Sequence, residues 1–422
     1  MRRGIAATAL VAALALAMTG CGGDGGSADS KGSGEISGKV TFWDTSNDAE
    51  KGVYKELAEG FEKKYPGVEV DYVSVSFGEA NANFKNAAGS GSGAPDVMRT
   101  EVAWVADFAN LGYLAPLDGT SALDDESDYL EQAMGSARFN GKAYGAPQVI
   151  DTLALFYNKR LLEKAGVEVP KTFEELAESA ETIKSKTGAT ALYLRGDDPY
   201  WFLPYLYGEG GDMVDAEKKK VRIDDAAGVR GFAAIKDLVD SGAAITDATD
   251  GQENQLKAFK DGDVAMIIDG PWDIEGALAG KEFKDRKNLG VAAVPGGSAG
   301  QGAPQGGWNL SVYAGSENLE ASYEFVKYMS SAEVQQKTAE KLSLLPTRTS
   351  VYEKPSVRKN EMVQFFKPAV DKAVERPWIA EANSLFEPIR VQMNEVLTGK
   401  ASPEKAAAGA GDAYRKLLKD YK

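Results

Sequence analysis

The stretch from Tyr144 to Asn158 reads YGAPQVIDTLALFYN. Val149, Ile150, Leu153, Leu155, Phe156 and Tyr157 are strand formers in a mostly apolar run, the composition of a buried strand. Asp151 interrupts it. Counting by two places Asp151 on the face of Leu153, Leu155 and Tyr157. An unpaired buried carboxylate is costly, so Asp151 must be paired, hydrogen-bonded or open to a cleft. No Lys or Arg lies between Lys142 and Lys159, so its partner is distant in sequence or is a ligand. The plain alternative is an acid satisfied by backbone amides at a strand end.

Upstream, Lys39 to Asp44 reads as a short strand ending in Trp43 and Asp44. Gly52 to Tyr65 has helical spacing through Tyr54, Leu57, Ala58 and Phe61, and Pro66-Gly67 stops it. Val68 to Val75 alternates as a second strand, Asn81 to Ala88 reads as a helix, and Pro95 to Met98 opens a third strand that runs into Arg99 and Glu101. Strand, helix, strand, helix predicts an α/β fold with a largely parallel sheet. Ligands bind such sheets beyond the carboxyl ends of the strands, which is where Trp43, Asp44, Arg99 and Glu101 fall.

Downstream, Asn158 to Ala165 and Thr172 to Thr187 read as helices, the second with Thr172 as N-cap and Glu175 three residues on. Ala191 to Leu194 is a strand followed by Arg195, Asp197, Asp198, Tyr200 and Trp201. Val264 to Ile268 is another, followed by Asp269-Gly270-Pro271-Trp272. Val291 to Val294 precedes a Gly-rich segment from Gly296 to Gly307, then Trp308. The tail from Ser322 is mainly helical, interrupted at Pro346, Pro368, Pro377 and Pro388.

The N-terminus has its own logic. Arg2 and Arg3 precede an apolar run from Ile5 to Met18, too short to span a bilayer. Met18-Thr19-Gly20-Cys21 is similar to a bacterial lipobox, which predicts a signal peptide over 1–20 and lipid on Cys21. Residues 21–38, rich in Gly, Ser, Asp and Lys, read as a flexible tether. Lipid plus tether implies a soluble domain held at the extracellular face of the cell membrane.

Composition narrows the chemistry. A chain of 422 residues exceeds one ordinary core, so two lobes are expected. The formal net charge of -15 argues against nucleic acid as a partner, because phosphates demand Lys and Arg. There is no His, which removes Ser-His-Asp and Cys-His nucleophiles and the common His-containing zinc sites. The single Cys forbids an intrachain disulfide.

Of the six Trp, all but Trp104 lie within two residues of Gly, Pro or Asp: Trp43, Trp201, Trp272, Trp308 and Trp378. Aromatic faces in turns, beside carboxylates and Arg, are the composition of a carbohydrate site. The rings stack on the C–H faces of pyranoses and the charged groups take the hydroxyls. The same carboxylates, Asp44, Glu101, Asp151, Asp197, Asp198 and Asp269, leave a carboxylate-pair α-glucosidase as a rival reading. A phosphate loop over Gly296 to Gly307 is rejected, because the segment has no G-K-[ST] and no Lys or Arg.

At GAPDVMRTEVAWVADFANLGYLAPL, YGAPQVIDTLALFYNKRLLEKAG, LRGDDPYWFLPYLYGEGGD, AMIIDGPW, GGWNL and LLPTRTSVY the chain resembles the extracellular solute-binding proteins of bacterial sugar ABC transporters, specifically actinobacterial maltose/maltodextrin-binding lipoproteins. The resemblance covers nearly the whole chain after the tether. It implies a two-lobed clamp of the periplasmic-binding-protein type II kind, with the ligand cleft between lobes. Lobe 1 would be 39–148 plus 309–345 and lobe 2 would be 152–305 plus 349–422, with crossings near 148–152, 306–308 and 345–348. Asp151 would stand in the cleft. Trp43, Asp44, Arg99 and Glu101 would serve it from the first lobe, and Asp198, Tyr200, Trp201 and Trp272 from the second. Gly306 and Gly307 would let sugar approach beside Trp308, and Trp378, Phe386 and Arg390 would add contacts from the tail. The implied protein is a monomeric receptor for maltose or maltodextrin that delivers its cargo to ABC permease subunits, with no cofactor, no metal and no catalytic residue. Trehalose or another oligosaccharide is the alternative cargo.

Overall fold

A computed structural model describes residues 36–422. The expected signal segment 1–20, Cys21 and the tether up to residue 35 lie outside the described residues. The last tether positions belong to the fold: Ile36 packs against the first core, and Gly38 already pairs with Val68.

Strand β1 (Gly38–Asp44) lies between β2 (Val68–Ser74) and β3 (Val97–Glu101) and runs parallel to both. Val40 and Phe42 alternate inward from it. Helix α1 (Lys51–Lys64) covers them with Tyr54, Leu57, Ala58 and Phe61, the three-and-four spacing of one helical face. Phe42 and Phe61 close on Phe325, at 5.1 and 5.2 Å between ring centres. Each such aromatic or aliphatic side chain contributes roughly 1.5–3 kcal/mol on burial. Helix α2 (Phe77–Ser90) is longer than expected. Gly78 lowers the helical signal at its start, and the helix runs on to Gly91, whose left-handed φ of 71° ends it.

The run from Tyr144 to Asn158 is two strands. Ala146–Thr152, the central strand, belongs to the first sheet, and Ala154–Asn158 belongs to a second. The chain steps between sheets at Leu153, so the alternation counted through the run does not carry across. Leu153 and Leu155 are buried in the second core, while Asp151 stays in the first sheet opposite Gly306.

The second sheet runs Ala244–Asp247, Thr190–Arg195, Val264–Asp269, Ala154–Asn158, Leu289–Ala292. Its first three strands are mutually parallel, as expected, but Ala154–Asn158 is antiparallel to both its neighbours. The first sheet is mixed for the same reason. A long strand, Ala303–Val312, lies antiparallel between β3 and the central strand. Antiparallel members are the strands that link one sheet to the other. The Gly-rich segment thus ends in a strand rather than a loop. A third link pairs Leu345 with Ile150 and Arg348 with Tyr129. Beyond it, Phe366 of the helix Glu361–Val370 packs edge-on against Phe156 of the second sheet at 5.7 Å.

Thr172 caps the helix Phe173–Thr187 by accepting from the Glu175 amide at 3.0 Å, as the sequence predicts. Glu175 reaches back one residue further than a capping box requires, accepting from the Lys171 amide at 2.6 Å.

Candidate functional site

The central and long strands meet in a register that sets Asp151 opposite Gly306, Ile150 opposite Gly307 and Val149 opposite Trp308. Gly307 has φ +133°, and a Cβ there would lie 2.2 Å from the Val149 carbonyl oxygen, so only glycine permits the approach. A Cβ at Gly306 would lie 2.1 Å from Asp151 Oδ1 and 2.6 Å from the Tyr200 hydroxyl. The bare backbone of Gly306 therefore lets Asp151 and Tyr200 close directly onto it.

Asp151 is 5% exposed. Among the described residues, no side chain or backbone group donates to its carboxylate within hydrogen-bond reach. Burial, and then the negative charge of Glu101, push its pKa up to about 7, against the pull of Arg376 and Arg99. Tyr200 comes from the turn Pro199–Phe202, which Asp198 caps by accepting from the Tyr200 amide at 2.9 Å. The Tyr200 hydroxyl donates to the Pro304 carbonyl at 3.1 Å, which fixes the ring over Gly306 beside Asp151.

Arg376 is the cation nearest in effect to Asp151, and the sequence reading passed over it. Its Nε donates to the Gln305 carbonyl at 2.8 Å, and its Nη2 pairs with Glu101. Its guanidinium lies 5.4 Å from the ring of Tyr200, 5.5 Å from Trp378 and 5.7 Å from Phe386. One buried cation thus gathers four of the expected residues. Its signal was its place in Arg376-Pro377-Trp378, a turn-like setting for a tryptophan. Arg390 lies on the exposed side of the helix Phe386–Leu397 and pairs with Glu387 of the same helix. The guanidinium beside Phe386 is Arg376's.

Arg99, Asp44 and Trp43 lie in a neighbouring region that is satisfied only in part, with Arg99 Nη1 and Gln148 Nε2 buried without a partner among the described residues. The Arg99 guanidinium lies between the rings of Tyr54, at 4.7 Å, and Trp308, at 4.2 Å. Its Nε donates to Gln148 Oε1 at 2.9 Å, and Nη2 stands 3.5 Å from Glu50. Asp44 is fully buried and accepts from the Ser46 and Tyr72 hydroxyls, each at 2.5 Å. Trp43 is half-buried against the cluster containing Met98 and Trp104.

On the second sheet's side, Trp201 is 7% exposed and its indole N–H donates to the Ile268 carbonyl at 2.6 Å, under the guanidinium of Arg195 at 3.9 Å. It is a core residue that supports Tyr200 and Trp272, which meet it edge-on at 5.7 and 6.2 Å. Trp272 is half-buried, and its ring lies across Gly270, where a Cβ would come within 2.1 Å of it. Asp269 is buried, accepts from Gln255 Nε2 and the Gly270 amide at 2.8 Å each, and adjoins Asp273. Burial holds both carboxyls above their ordinary range; the charge of Asp273 raises Asp269 further, while hydrogen bonding from Gln252 and Asp269 pulls Asp273 back. Among the described residues no group of three His, Cys, Asp or Glu could hold a metal ion.

Sequence reasoning also missed Phe77. Its ring stacks on Trp104 at 5.3 Å and meets Trp308 edge-on at 5.6 Å. Preceded by Ser76 and followed by Gly78, it falls between the strand and helix signals and carries no local mark of a site.

The profile of the bacterial extracellular solute-binding protein family matches residues 45–336. The GacH receptor of Streptomyces glaucescens GLA.O, solved unliganded and in complex with acarbose and an acarbose homolog, is 74% identical. It aligns with a TM-score of 0.90 over 92% of this chain and 100% of its own. A maltooligosaccharide ABC transporter solute-binding lipoprotein of Streptococcus pneumoniae is 27% identical over 98% of this chain and 96% of its own. The diacetylchitobiose binding protein DasA of Streptomyces coelicolor is 26% identical over 99% of both. The expected fold class, α/β with two lobes, is the observed one.

Proposed function

The chain belongs to the bacterial extracellular solute-binding protein family, and from that premise we propose that its cargo is maltose or a maltodextrin, bound between the two halves and delivered to an ABC permease. It is a sugar-binding protein of an ABC transporter and not an enzyme. The lobes of this reading are 39–148 plus 309–345 and 152–305 plus 349–422, hinged where the chain crosses between sheets.

The observation that carries the reading is Asp151. A nearly buried carboxylate with no donor of its own, set against the bare backbone of Gly306, is complementary to a group that brings donors. Sugar hydroxyls do so. Trp272, Trp308 and Trp378 supply ring faces for the pyranose C–H surfaces around it. GacH, with its acarbose complexes, supports a glucoside rather than a chitobioside cargo.

Calorimetry on the purified protein with maltotriose, acarbose, cellobiose and diacetylchitobiose tests the reading. Binding of maltotriose and acarbose, with neither cellobiose nor diacetylchitobiose competing, is the expected result. Binding of diacetylchitobiose alone would keep the clamp and overturn the cargo. The protein acts as a monomer held at the extracellular face by lipid on Cys21. Metabolic labelling with palmitate should mark the wild type and leave Cys21→Ser unlabelled; label on both would refute the anchor.

A further inference from the structure

We propose that Phe77 is a stacking platform for an outer pyranose ring of a bound oligosaccharide and so sets the preference for chain length. The proposal rests on the gluco-oligosaccharide reading above.

Phe77 is 52% exposed. A lone exposed apolar residue is ordinary, but the neighbours of this one are not. One face of its ring lies nearly parallel to Trp104, 17° between planes. Trp104 is 3% exposed, and its indole N–H donates to Asn383 Oδ1 at 3.2 Å, across to the segment that carries Phe386. The Phe77 ring is therefore backed by a buried indole anchored to the far side. Trp308, edge-on to Phe77, stands on the long strand two residues from Gly306, which faces Asp151. From Trp308, two residues along the strand from the Gly306–Asp151 pair, the rings lead to Phe77, which is half exposed.

A pyranose is the occupant this surface fits. Its C–H face is apolar and its rim hydroxyls keep their water, which matches a flat apolar ring with one free face. The ring is held before binding, so little conformational entropy is lost when sugar stacks on it. On this proposal a disaccharide held at Asp151 stops short of Phe77, whereas a longer chain running past Trp308 crosses it.

The test is calorimetry of the full chain with maltose and with maltopentaose, for wild type, Phe77→Ala and Phe77→Leu. Expected is a roughly tenfold weaker affinity of Phe77→Ala for maltopentaose, about 1.4 kcal/mol and within the range of one aromatic stack. Maltose affinity should stay within about twofold of wild type by the same stacking argument. Phe77→Leu keeps apolar bulk but has no flat face, and should behave like Phe77→Ala; its thermal midpoint without ligand should match wild type. Maltopentaose binding to Phe77→Leu at wild-type strength would overturn the platform. Equal weakening of both sugars, or no change in either, would overturn it as well. A wild-type protein that binds neither sugar would overturn the cargo reading, and the platform with it.

Discussion

Replacing Asp151 with Asn should make the ligand-free protein more stable above neutral pH while weakening its hold on sugar. Asp151 is buried without a donor, and its pKa is raised from 3.8 to about 7. Below pH 3.8 the carboxyl is protonated in folded and unfolded chains alike. Between 3.8 and about 7 the unfolded chain gives up its proton and the folded one keeps it, so stability is lost as pH rises through that window. Above it the loss is complete. The interval, at roughly 1.36 kcal/mol per pH unit, corresponds to a penalty on the order of 4 kcal/mol. Asn has the same shape and no charge, so it removes the penalty without opening a cavity. Burial likewise raises Glu50, Asp269 and Asp273, but those groups stand in both proteins and largely cancel in the comparison. Urea denaturation of both proteins from pH 4 to 8 is the assay, and even half the expected difference is resolvable. The Asn variant should match wild type at the acid end and exceed it at pH 8, with maltotriose affinity reduced. Parallel profiles across the range, or a less stable variant at pH 8, would refute the assignment of Asp151 as a bare carboxylate.

Gly306→Ala places a methyl 2.1 Å from Asp151 Oδ1 and 2.6 Å from the Tyr200 hydroxyl, so both must move. Calorimetry should show sugar affinity falling tenfold or more, with about 1–3 kcal/mol of stability lost to overpacking. Arg376→Ala leaves Glu101 enclosed without its cation and should cost about 3 kcal/mol in chemical denaturation. Adding Glu101→Gln should recover part of that loss, and a double variant no better than the single one would count against the pair.

The legible parts of the chain were those whose physics is local. Thr172 and Glu175 cap a helix because the interactions lie within four residues. Asp151 stood out because an acid in an apolar run must be accounted for wherever the run folds. What escaped depends on distance or direction. Arg376 meets Glu101 across 275 positions, and nothing near Arg376 announces that partner. Trp201 directly follows Tyr200 in Pro199-Tyr200-Trp201, yet the turn sends adjacent side chains different ways and its indole ends in the core. The strand count by two failed at Leu153 because one residue outside the ladder is enough to hand the chain to another sheet. Phe77 was hidden by a neighbouring glycine that masks the start of α2.

The same geometry separates two ways of losing affinity. Asp151 lies on the central strand at the crossing, opposite Gly306. In the proposed clamp the strand pair that carries it keeps its register however the halves are set, so its own bond to sugar is common to open and closed forms, although Tyr200 beside it belongs to the second half. A ligand that binds two states equally shifts neither. Trp272 stands after Val264–Asp269 on the second sheet, and Trp308 pairs with Glu101 in the first. In the proposed clamp, sugar would touch both rings only with the halves together, so these contacts would supply the differential affinity that closure requires. Asp151→Asn should therefore bind more weakly yet reach the same compact form at saturating maltotriose. Trp272→Ala should remain more open even when saturated. Small-angle scattering of each variant with and without excess maltotriose distinguishes them. Full compaction of saturated Trp272→Ala would show that closure draws on contacts other than this ring.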